Sequence, residues 1–256
     1  MTADVLFPTS ADEAASLYGD GEGITVFAGG TILLPEIASG RVRPERALLL
    51  HRSGLDTVSV DGDRVTLGAM VPVAALAASD DTVLAQVAGQ IADEEVRRNA
   101  TVGGNLCAPA GGDAQRGDLG AALIALGAHV RSAGAGGERT EPVEDFLAGD
   151  RSGRLVLDVS YERRDGRSAT ASLRRRHAHS YAIATVAAVK DADGTRIGIT
   201  GVGPRAVRAR SVEASGNAED VLKDVEPIDD AVASAAYRRT VLPKLVREAL
   251  DQLERA

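Results

Sequence analysis

The sequence predicts an α+β fold, and three of its stretches carry that prediction. Two apolar runs within residues 24–51 flank a glycine pair and a helical turn, which is typical of a strand-turn-helix-strand unit. Alternating residues on either side of Asp61-Gly62 predict an antiparallel hairpin, and a similar pattern surrounds residues 191–194. The chain of 256 residues has room for two modest domains, and we therefore expect two.

Composition and charge exclude several classes of protein. The net charge of −8 and the isoelectric point near 5.1 argue against a general nucleic-acid or anionic-membrane surface, which needs excess Lys and Arg. Cys107 is the only cysteine, so the chain alone cannot form a disulfide, an iron–sulfur cluster or a cysteine-built zinc site. The N-terminus lacks the residue order of a signal peptide and no apolar run reaches about 18 residues, so we expect a cytoplasmic protein without a membrane span.

The N-terminal part of the chain predicts alternating strands and helices. A helix begins at the capping-box pair Ser10 and Glu13 and stops at Gly19. Thr31, after the first glycine pair, is a good N-cap for a helical turn that reaches residue 38. Short strands are predicted at residues 5–7, 24–28 and 46–51.

The middle of the chain predicts a partly antiparallel sheet covered by helices. Helical patterns occupy residues 73–78 and 82–93, and Asp118 is placed as the N-cap of an apolar helix that Gly127 closes. Residues 139–149 predict an edge segment and a short helix. Strands are predicted at residues 57–60, 63–69, 128–132 and 154–162.

The last part of the chain differs in its pattern of predicted strands and helices, and the polar stretch 162–168 suggests a domain boundary before it. Residues 180–190 and 195–203 predict the two strands of the second hairpin. Helices are predicted at residues 218–223 and from residue 229 to the end. One apolar stripe on the last helix is interpreted as core packing and comprises Val241, Leu242, Leu245, Val246, Ala249, Leu250 and Leu253.

Two glycine pairs are the candidate ligand-binding features. A lone Gly-Gly pair is usually a turn, because glycine adopts positive φ at no steric cost. Here Gly29-Gly30 and Gly103-Gly104 lie in the same half of the chain, and each pair exposes backbone N–H groups that larger side chains would block. Two such turns can clamp one pyrophosphate, so we predict a phosphate-bearing ligand between them.

Two further motifs favour structural interpretations. Gly201, Gly203 and Ala206 formally match G-x-G-x-x-A, but no parallel strand follows to complete a dinucleotide-binding unit, so we interpret the motif as the exit turn of a hairpin. His177 and His179 would share one face of a strand, yet no carboxylates join them to form a metal site. We therefore expect hydrogen-bonded or surface histidines.

The remaining candidates also lack chemistry of their own. Residues 174–176 are three arginines, typical of a solvated surface, and a subunit contact is preferred there to a phosphate contact. Cys107 has no neighbouring His or Lys to lower its pKa, so we interpret it as a packing residue. No catalytic triad, zinc-protease motif or Walker motif is present. A phosphate clamp without its own acid, base or nucleophile indicates that a bound cofactor carries out the reaction.

Three motifs of the first half, taken in order, resemble a known family. "AGGTILLP", "RRNATVGGNL" and "DLGAALIALGA" are similar to the FAD-binding subunit of molybdenum hydroxylases. These are the medium subunit of aerobic carbon monoxide dehydrogenase and the equivalent domain of xanthine dehydrogenase. "RRHAHSYAIATVAAV", "GVGPRAVRA" and "YRRTVLPKLVREAL" are similar to the C-terminal domain of that family, so the resemblance covers nearly the whole chain.

The resemblance implies a fold and a domain division. The expected FAD-binding domain is of the vanillyl-alcohol-oxidase (PCMH) type and occupies residues 1–160, with subdomains at about 1–54 and 55–160. A smaller C-terminal domain of antiparallel strands and helices, of the carbon monoxide dehydrogenase flavoprotein type, is expected at residues 161–256.

The resemblance also implies the cofactor and the residues that hold it. Backbone N–H groups of two segments would bind the FAD pyrophosphate. Asp118 would contact the ribityl and ribose region, and Tyr181 would lie near the isoalloxazine ring. The contacts implied in the two segments are Ala28, Gly29, Gly30, Thr31, Ile32, Leu33, Thr101, Val102, Gly103, Gly104 and Asn105. Neither a catalytic side chain nor a metal ligand is implied in this chain.

By the same resemblance the chain works in a complex. A molybdopterin large subunit would feed a [2Fe-2S] small subunit, and electrons would pass from there through FAD to oxygen, NAD or a quinone. Ser172 and Ser180 depart from the family pattern, and the loop before Asp118 is longer than usual. Two alternatives stay open: a stand-alone FAD oxidoreductase of the same fold, and an assembly subunit that has lost FAD.

Overall fold

The computed structural model describes residues 4–108, 116–175 and 181–255, and its strands form three sheets. Within these ranges no helix is long and apolar enough to cross a membrane. Helices and strands are interspersed throughout, and the predicted α+β fold is confirmed.

The first sheet is parallel and lies in the N-terminal part of the chain. Its strands, in the order β1-β3-β2, are β1 (Asp4–Leu6), β2 (Ile24–Phe27) and β3 (Arg46–Leu49). Helix α1 (Ala11–Tyr18) begins as predicted, because the Ser10 hydroxyl accepts a hydrogen bond from the Glu13 N–H at 3.1 Å. The Glu13 carboxylate accepts in turn from the Thr9 N–H at 2.7 Å, one residue earlier than a standard capping box.

Helix α2 (Leu33–Ala38) begins later than predicted. Ile32, not Thr31, occupies the N-cap position, and no side chain caps the helix. The reason is the turn at Gly30, where φ is +71° and the carbonyl accepts from the Leu34 N–H at 2.9 Å. This turn uses up two residues before helical geometry starts, so Thr31 lies in the loop.

The second sheet is antiparallel and occupies the middle of the chain. Its strands, in the order β4-β5-β8-β6-β7, are β4 (Val58–Asp61), β5 (Arg64–Gly68), β6 (His129–Gly134), β7 (Arg139–Pro142) and β8 (Arg154–Glu162). The predicted hairpin turns at Gly62-Asp63, and β7 is an edge strand as predicted. Its helices are α3 (Val73–Ala77), α4 (Thr82–Gly89), α5 (Glu94–Asn99), α6 (Val102–Leu106), α7 (Leu119–Ala125) and α8 (Val143–Ala148).

The sequence prediction was right for the start of α4 at Thr82 but wrong over residues 90–106. The helix predicted to reach Asp93 ends at Gly89, and Asp93 instead caps α5 by accepting from the Val96 N–H at 2.8 Å. The second glycine pair lies inside α6, capped by Thr101, and neither glycine has positive φ. Asp93 and Thr101 are both good N-cap residues, and the interpretation of the glycines as a turn overlooked these two helix starts.

The third sheet is antiparallel, in the order β12-β11-β10-β9. It consists of β9 (Arg167–Leu173), β10 (Ala184–Asp191), β11 (Gly194–Thr200) and β12 (Val207–Arg208). Helix α9 (Arg210–Ser215), a 3₁₀ helix (Ala218–Lys223) and helix α10 (Ala235–Arg255) complete this part. β9 and α9 were not predicted, and α10 begins six residues later than expected. The α10 stripe packs against β9 and β10, which confirms the core interpretation.

Helix α7 connects the second and third sheets. All seven of its residues are buried, and it contacts α4, α6 and α8 on one side and β10, β11 and β12 on the other. The approach is close enough that a Cβ at Gly198 would overlap with the carbonyl oxygen of Ala121. The third sheet therefore covers an apolar face of α7. Whether the chain divides at residues 54 and 160 stays a prediction.

Candidate functional site

A cavity of about 510 Å³ lies between the first and second sheets and reaches the start of β10. Its walls include the loop after β2, the segment between α5 and α6, the beginning of β8 and Tyr181. Eleven of the thirteen predicted cofactor contacts line it: Ala28, Gly29, Gly30, Thr31, Ile32, Leu33, Thr101, Gly103, Gly104, Asn105 and Tyr181. Val102 and Asp118 do not line it, since both are buried behind the wall.

The first glycine loop presents a run of backbone donors to the cavity. None of the N–H groups of residues 29–33 donates to an acceptor within the described part of the chain. The next N–H, of Leu34, returns to the carbonyl of Gly30. All five donor residues line the cavity, so their N–H groups are available to an anionic ligand.

The second glycine segment is built differently. The N–H groups of Val102 and Gly103 donate to the carbonyls of Val71 and Ala69 at 3.0 and 2.8 Å. The N–H groups of Gly104 and Asn105 are used by Thr101, through its hydroxyl at 3.2 Å and its carbonyl at 2.8 Å. The prediction that these four N–H groups are free to bind a pyrophosphate is therefore wrong, because each is used inside the fold.

Close packing, not positive φ, explains Gly103 in the second segment. A Cβ at Gly103 would lie 2.9 Å from the Cβ of Ala69, so a larger residue would push α6 away from β5. A Cβ at Gly104 would lie 3.8 Å from the Cβ of Ala28, across the gap between the two segments. Gly29, in the first segment, also lies against backbone, since a Cβ there would overlap with the carbonyl oxygen of Asn99.

Two arginines, Arg116 and Arg154, and two acidic residues line the cavity. The guanidinium of Arg154 is fixed by the carbonyl and hydroxyl oxygens of Ser132, and Arg116 lies 5.6 Å from the centre of the Tyr181 ring. Hydrogen bonding to Arg41 lowers the pKa of Glu36, so this carboxylate is ionised and paired. Asp93, the other acidic residue of the lining, caps α5.

Asp118 occupies a buried position at the start of α7. It occupies the N-cap position as predicted, but its side chain makes no capping hydrogen bond. The Asn105 side chain supplies the cap instead, accepting from the Leu119 N–H at 3.0 Å. Burial raises the pKa of Asp118 to about 6, although the positive charge of Arg174 opposes the rise. The carboxyl group is thus buried next to a residue that Asn105 caps, and it does not line the cavity.

Cys107 faces the cavity, so its interpretation as a packing residue is wrong. The surrounding protein nevertheless desolvates the thiol, and this burial raises its pKa to about 11, an effect that Arg151 only partly opposes. A neutral thiol is a poor nucleophile.

We expect iodoacetamide to alkylate Cys107 in the FAD-free protein roughly 100-fold more slowly than a cysteine peptide at pH 8, because a thiol of raised pKa carries little thiolate. Mass spectrometry of timed samples measures both rates in one tube. Alkylation as fast as that of the peptide would contradict the neutral state of the thiol.

The other candidates from the sequence have structural roles when they fall within the residues that the structure describes. Residues 201–206 form the turn between the antiparallel strands β11 and β12, which confirms the hairpin interpretation. The Ser172 hydroxyl lies 3.1 Å from that of Thr185 on the neighbouring strand. Arg176, His177, His179 and Ser180 lie outside the described residues. Among the described residues no group of His, Cys, Asp and Glu is arranged to hold a metal ion.

Known proteins match nearly the whole length of the chain. The chain is 26% identical over 279 residues to 6-hydroxypseudooxynicotine dehydrogenase complex subunit alpha of Paenarthrobacter nicotinovorans, covering 96% of this chain and 93% of the relative. It is 29% identical over 274 residues to the carbon monoxide dehydrogenase medium chain of Hydrogenophaga pseudoflava, covering 95% and 94%. A chain in the solved structure of carbon monoxide dehydrogenase from H. pseudoflava superposes with a TM-score of 0.86 at 25% identity, over 100% and 98% of the two chains.

The family described as the FAD binding domain in molybdopterin dehydrogenase matches residues 1–160. This match includes both glycine segments, Asp118 and the second sheet except the last two residues of β8. The cofactor is FAD, and the protein is a flavoprotein of the oxidoreductase class. The chain belongs to the family of FAD-binding domains of molybdopterin dehydrogenases, as its motifs predicted.

Proposed function

We propose that this chain is the FAD-binding subunit of a cytoplasmic molybdenum hydroxylase complex. It would receive electrons from a [2Fe-2S] small subunit, itself supplied by a molybdopterin large subunit, and pass them to oxygen, NAD or a quinone. The names of two relatives support a complex, since one is a subunit alpha and the other a medium chain. The single cysteine supports a partner that holds the cluster, because Fe–S clusters need several thiolates.

The observation that carries the proposal is the run of N–H groups at residues 29–33 that find no acceptor among the described residues. Pyrophosphate oxygens are strong acceptors, and a concave run of backbone donors is a good anion site. Arg116 and Arg154 add positive charge in the same cavity. We therefore assign the pyrophosphate to the first glycine loop, with residues 101–105 shaping the opposite wall.

The remaining predicted contacts concern the two other parts of the cofactor, and of these residues Tyr181 lines the cavity whereas Asp118 lies behind its wall. Bound FAD would supply the redox chemistry that the side chains of the cavity lack. Asp118 would reach the ribityl and ribose hydroxyls beside Asn105, and Tyr181 would border the isoalloxazine ring. Leu155 and Val156 would exclude water from the wall that β8 provides.

Gly104→Leu tests the clamp without disturbing the backbone. A Cβ at Gly104 meets only the Thr101 hydroxyl at 3.0 Å and Ala28 at 3.8 Å, so the larger side chain enters the space between the segments. We expect at least a roughly 100-fold rise in the FAD dissociation constant, about 2.7 kcal/mol, measured by titrating the FAD-free chain. Gly89→Leu, at the exposed end of α4 with no atom within 4 Å, should bind like the wild type.

Three outcomes distinguish the hypotheses. If the wild-type chain shows no flavin absorbance near about 450 nm after reconstitution, alone or with partners, the assembly subunit without FAD replaces our proposal. Substrate turnover by the chain alone would favour the stand-alone oxidoreductase. Bleaching of the flavin band by substrate only when the [2Fe-2S] and molybdopterin subunits are both present would support the proposed electron path.

A further inference from the structure

Arg238, in the first turn of α10, is a completely buried arginine, and all five N–H donors of its guanidinium are used. Its side chain is 0% exposed, and its bidentate partner Asp230 is also buried. The two Nη2 bonds to the Asp230 carboxylate measure 2.9 and 2.8 Å. Nη1 donates to the carbonyls of Ile228 and Ala233 at 2.6 and 2.9 Å. The guanidinium thus fastens the loop before α10 to the helix.

The last donor of Arg238 leads toward the FAD cavity. Nε of Arg238 donates to the carbonyl of Ile183 at 3.3 Å. The backbone N–H of Ile183 donates in turn to the carbonyl of Leu173 at 2.7 Å. Ile183 is only two residues from Tyr181. Ala182 and Ile183 are 3% and 5% exposed, whereas Tyr181 is 40% exposed and lines the cavity. The backbone that carries the tyrosine is therefore held from behind by the arginine.

Stability alone does not explain a charged pair at this place. A buried ion pair is often no more stabilising than well-packed apolar residues of similar volume, because both charges lose their hydration. What arginine adds is a rigid, planar fork that fixes several acceptors at once. Here the acceptors belong to the loop at residues 228–233 and to the start of β10, two segments that meet at the cavity end of the third sheet.

We propose that Arg238 is a positioning residue that sets the place of Tyr181 beside the flavin ring. The inference rests on the proposed function, because it takes Tyr181 as a neighbour of bound FAD. Arg238 does not touch the cofactor in this arrangement. It acts through the Ile183 carbonyl and the two residues that separate Ile183 from the tyrosine.

Hydrogen exchange tests the hold on Ile183 without the cofactor. In the FAD-free full chain we expect Arg238→Lys to speed exchange of the Ile183 amide about tenfold, since lysine keeps the charge but cannot replace the fork. The amide of Val159, in the buried strand β8, serves as the reference and should change less than about twofold. Equal acceleration at both amides would show a general loss of stability and overturn the inference.

A double-mutant cycle with bound FAD tests the effect on the tyrosine. Tyr181→Leu should raise FAD fluorescence, because it removes an aromatic quencher, and Arg238→Lys should raise it in the same direction. In the Tyr181→Leu background, Arg238→Lys should add nothing. Additive effects, or a fluorescence that Arg238→Lys leaves unchanged, would overturn the inference. Asp230→Asn keeps the shape of the acceptor and can replace Arg238→Lys in the same double-mutant cycle, with the same expected result.

Failure of the proposed function is recognised separately. A wild-type chain that binds no FAD, or a Tyr181→Leu variant with unchanged flavin fluorescence, would refute the assignment of the tyrosine to the flavin. The inference about Arg238 would then fall with it, even if exchange at Ile183 rises. Normal FAD binding with a responsive Tyr181 but an inert Arg238 would refute the positioning role alone.

Discussion

Gly29→Ala is expected to abolish FAD binding and to destabilise the protein by about 3 kcal/mol or more, the upper end for overpacking. The added Cβ would overlap with the carbonyl oxygen of Asn99, which is backbone and cannot rotate away. The first glycine loop and the end of α5 must therefore separate, and the donors at residues 29–33 lose their place in the cavity. Urea unfolding and the flavin-to-protein ratio after reconstitution measure the two effects.

Gly136→Ala is the matched control for this experiment. Gly136 has no heavy atom within 4 Å of the position of a Cβ, and its φ is not positive. The same chemical change there should leave FAD binding intact and shift stability only slightly. Normal FAD content in Gly29→Ala would show that the close approach to Asn99 is not needed for the site.

Asp118→Asn is expected to stabilise the FAD-free protein at neutral pH by about 3 kcal/mol. Burial raises the pKa of Asp118 from 3.8 to about 6, so the folded state holds its proton more tightly than the unfolded state does. The wild type therefore loses stability as pH rises from about 4 to about 6, and the deficit stays constant above that range. The asparagine variant avoids this loss, and its advantage should vanish near pH 4.

Urea unfolding of both proteins at pH 4 and pH 7.5 checks this difference. Asp150→Asn provides a comparison of opposite sign, because hydrogen bonds from Ser152 lower the pKa of this exposed carboxyl group. Equal stability of Asp118→Asn and the wild type at pH 7.5 would mean that the carboxyl group is not desolvated in the FAD-free chain.

The same variant should bind FAD more weakly, by roughly 10-fold to 100-fold, if the carboxylate accepts a ribityl or ribose hydroxyl. Stability and affinity would then change in opposite directions, which is typical of a residue kept for function at a cost in stability. A gain in stability with unchanged FAD affinity would leave Asp118 a structural residue. Titration at pH 7.5 with the Gly89→Leu protein as reference makes the comparison.

Local signals predicted much of the fold. Ser10 with Glu13, the hairpin at residues 58–68 and the turn at Gly30 depend on residues within a few positions of one another, and the structure contains all three. The hairpin interpretation of residues 201–206 also needed only the neighbouring sequence.

Long-range contacts account for the predictions that were wrong. Gly103 is needed because Ala69, more than thirty residues earlier, packs against it, and no local rule separates such a glycine from one in a turn. Position alone suggested that the Asp118 side chain caps α7, but the capping bond comes from Asn105, which lies on a different helix. The donors of the first loop were predictable from glycine chemistry, whereas the hold of Arg238 on Ile183 joins residues 55 positions apart.

Helix α7 is synthesised well before the strand that covers it. Strand β11, which covers one face of the helix, begins about 70 residues after α7 ends. At roughly 5–20 residues per second, that face waits several seconds or longer for its cover. Residues 119–125 contain no charged side chain, so the nascent chain exposes an uninterrupted apolar helix during this interval. A fragment ending at residue 160 would keep that surface exposed permanently, and self-association would be its expected fate.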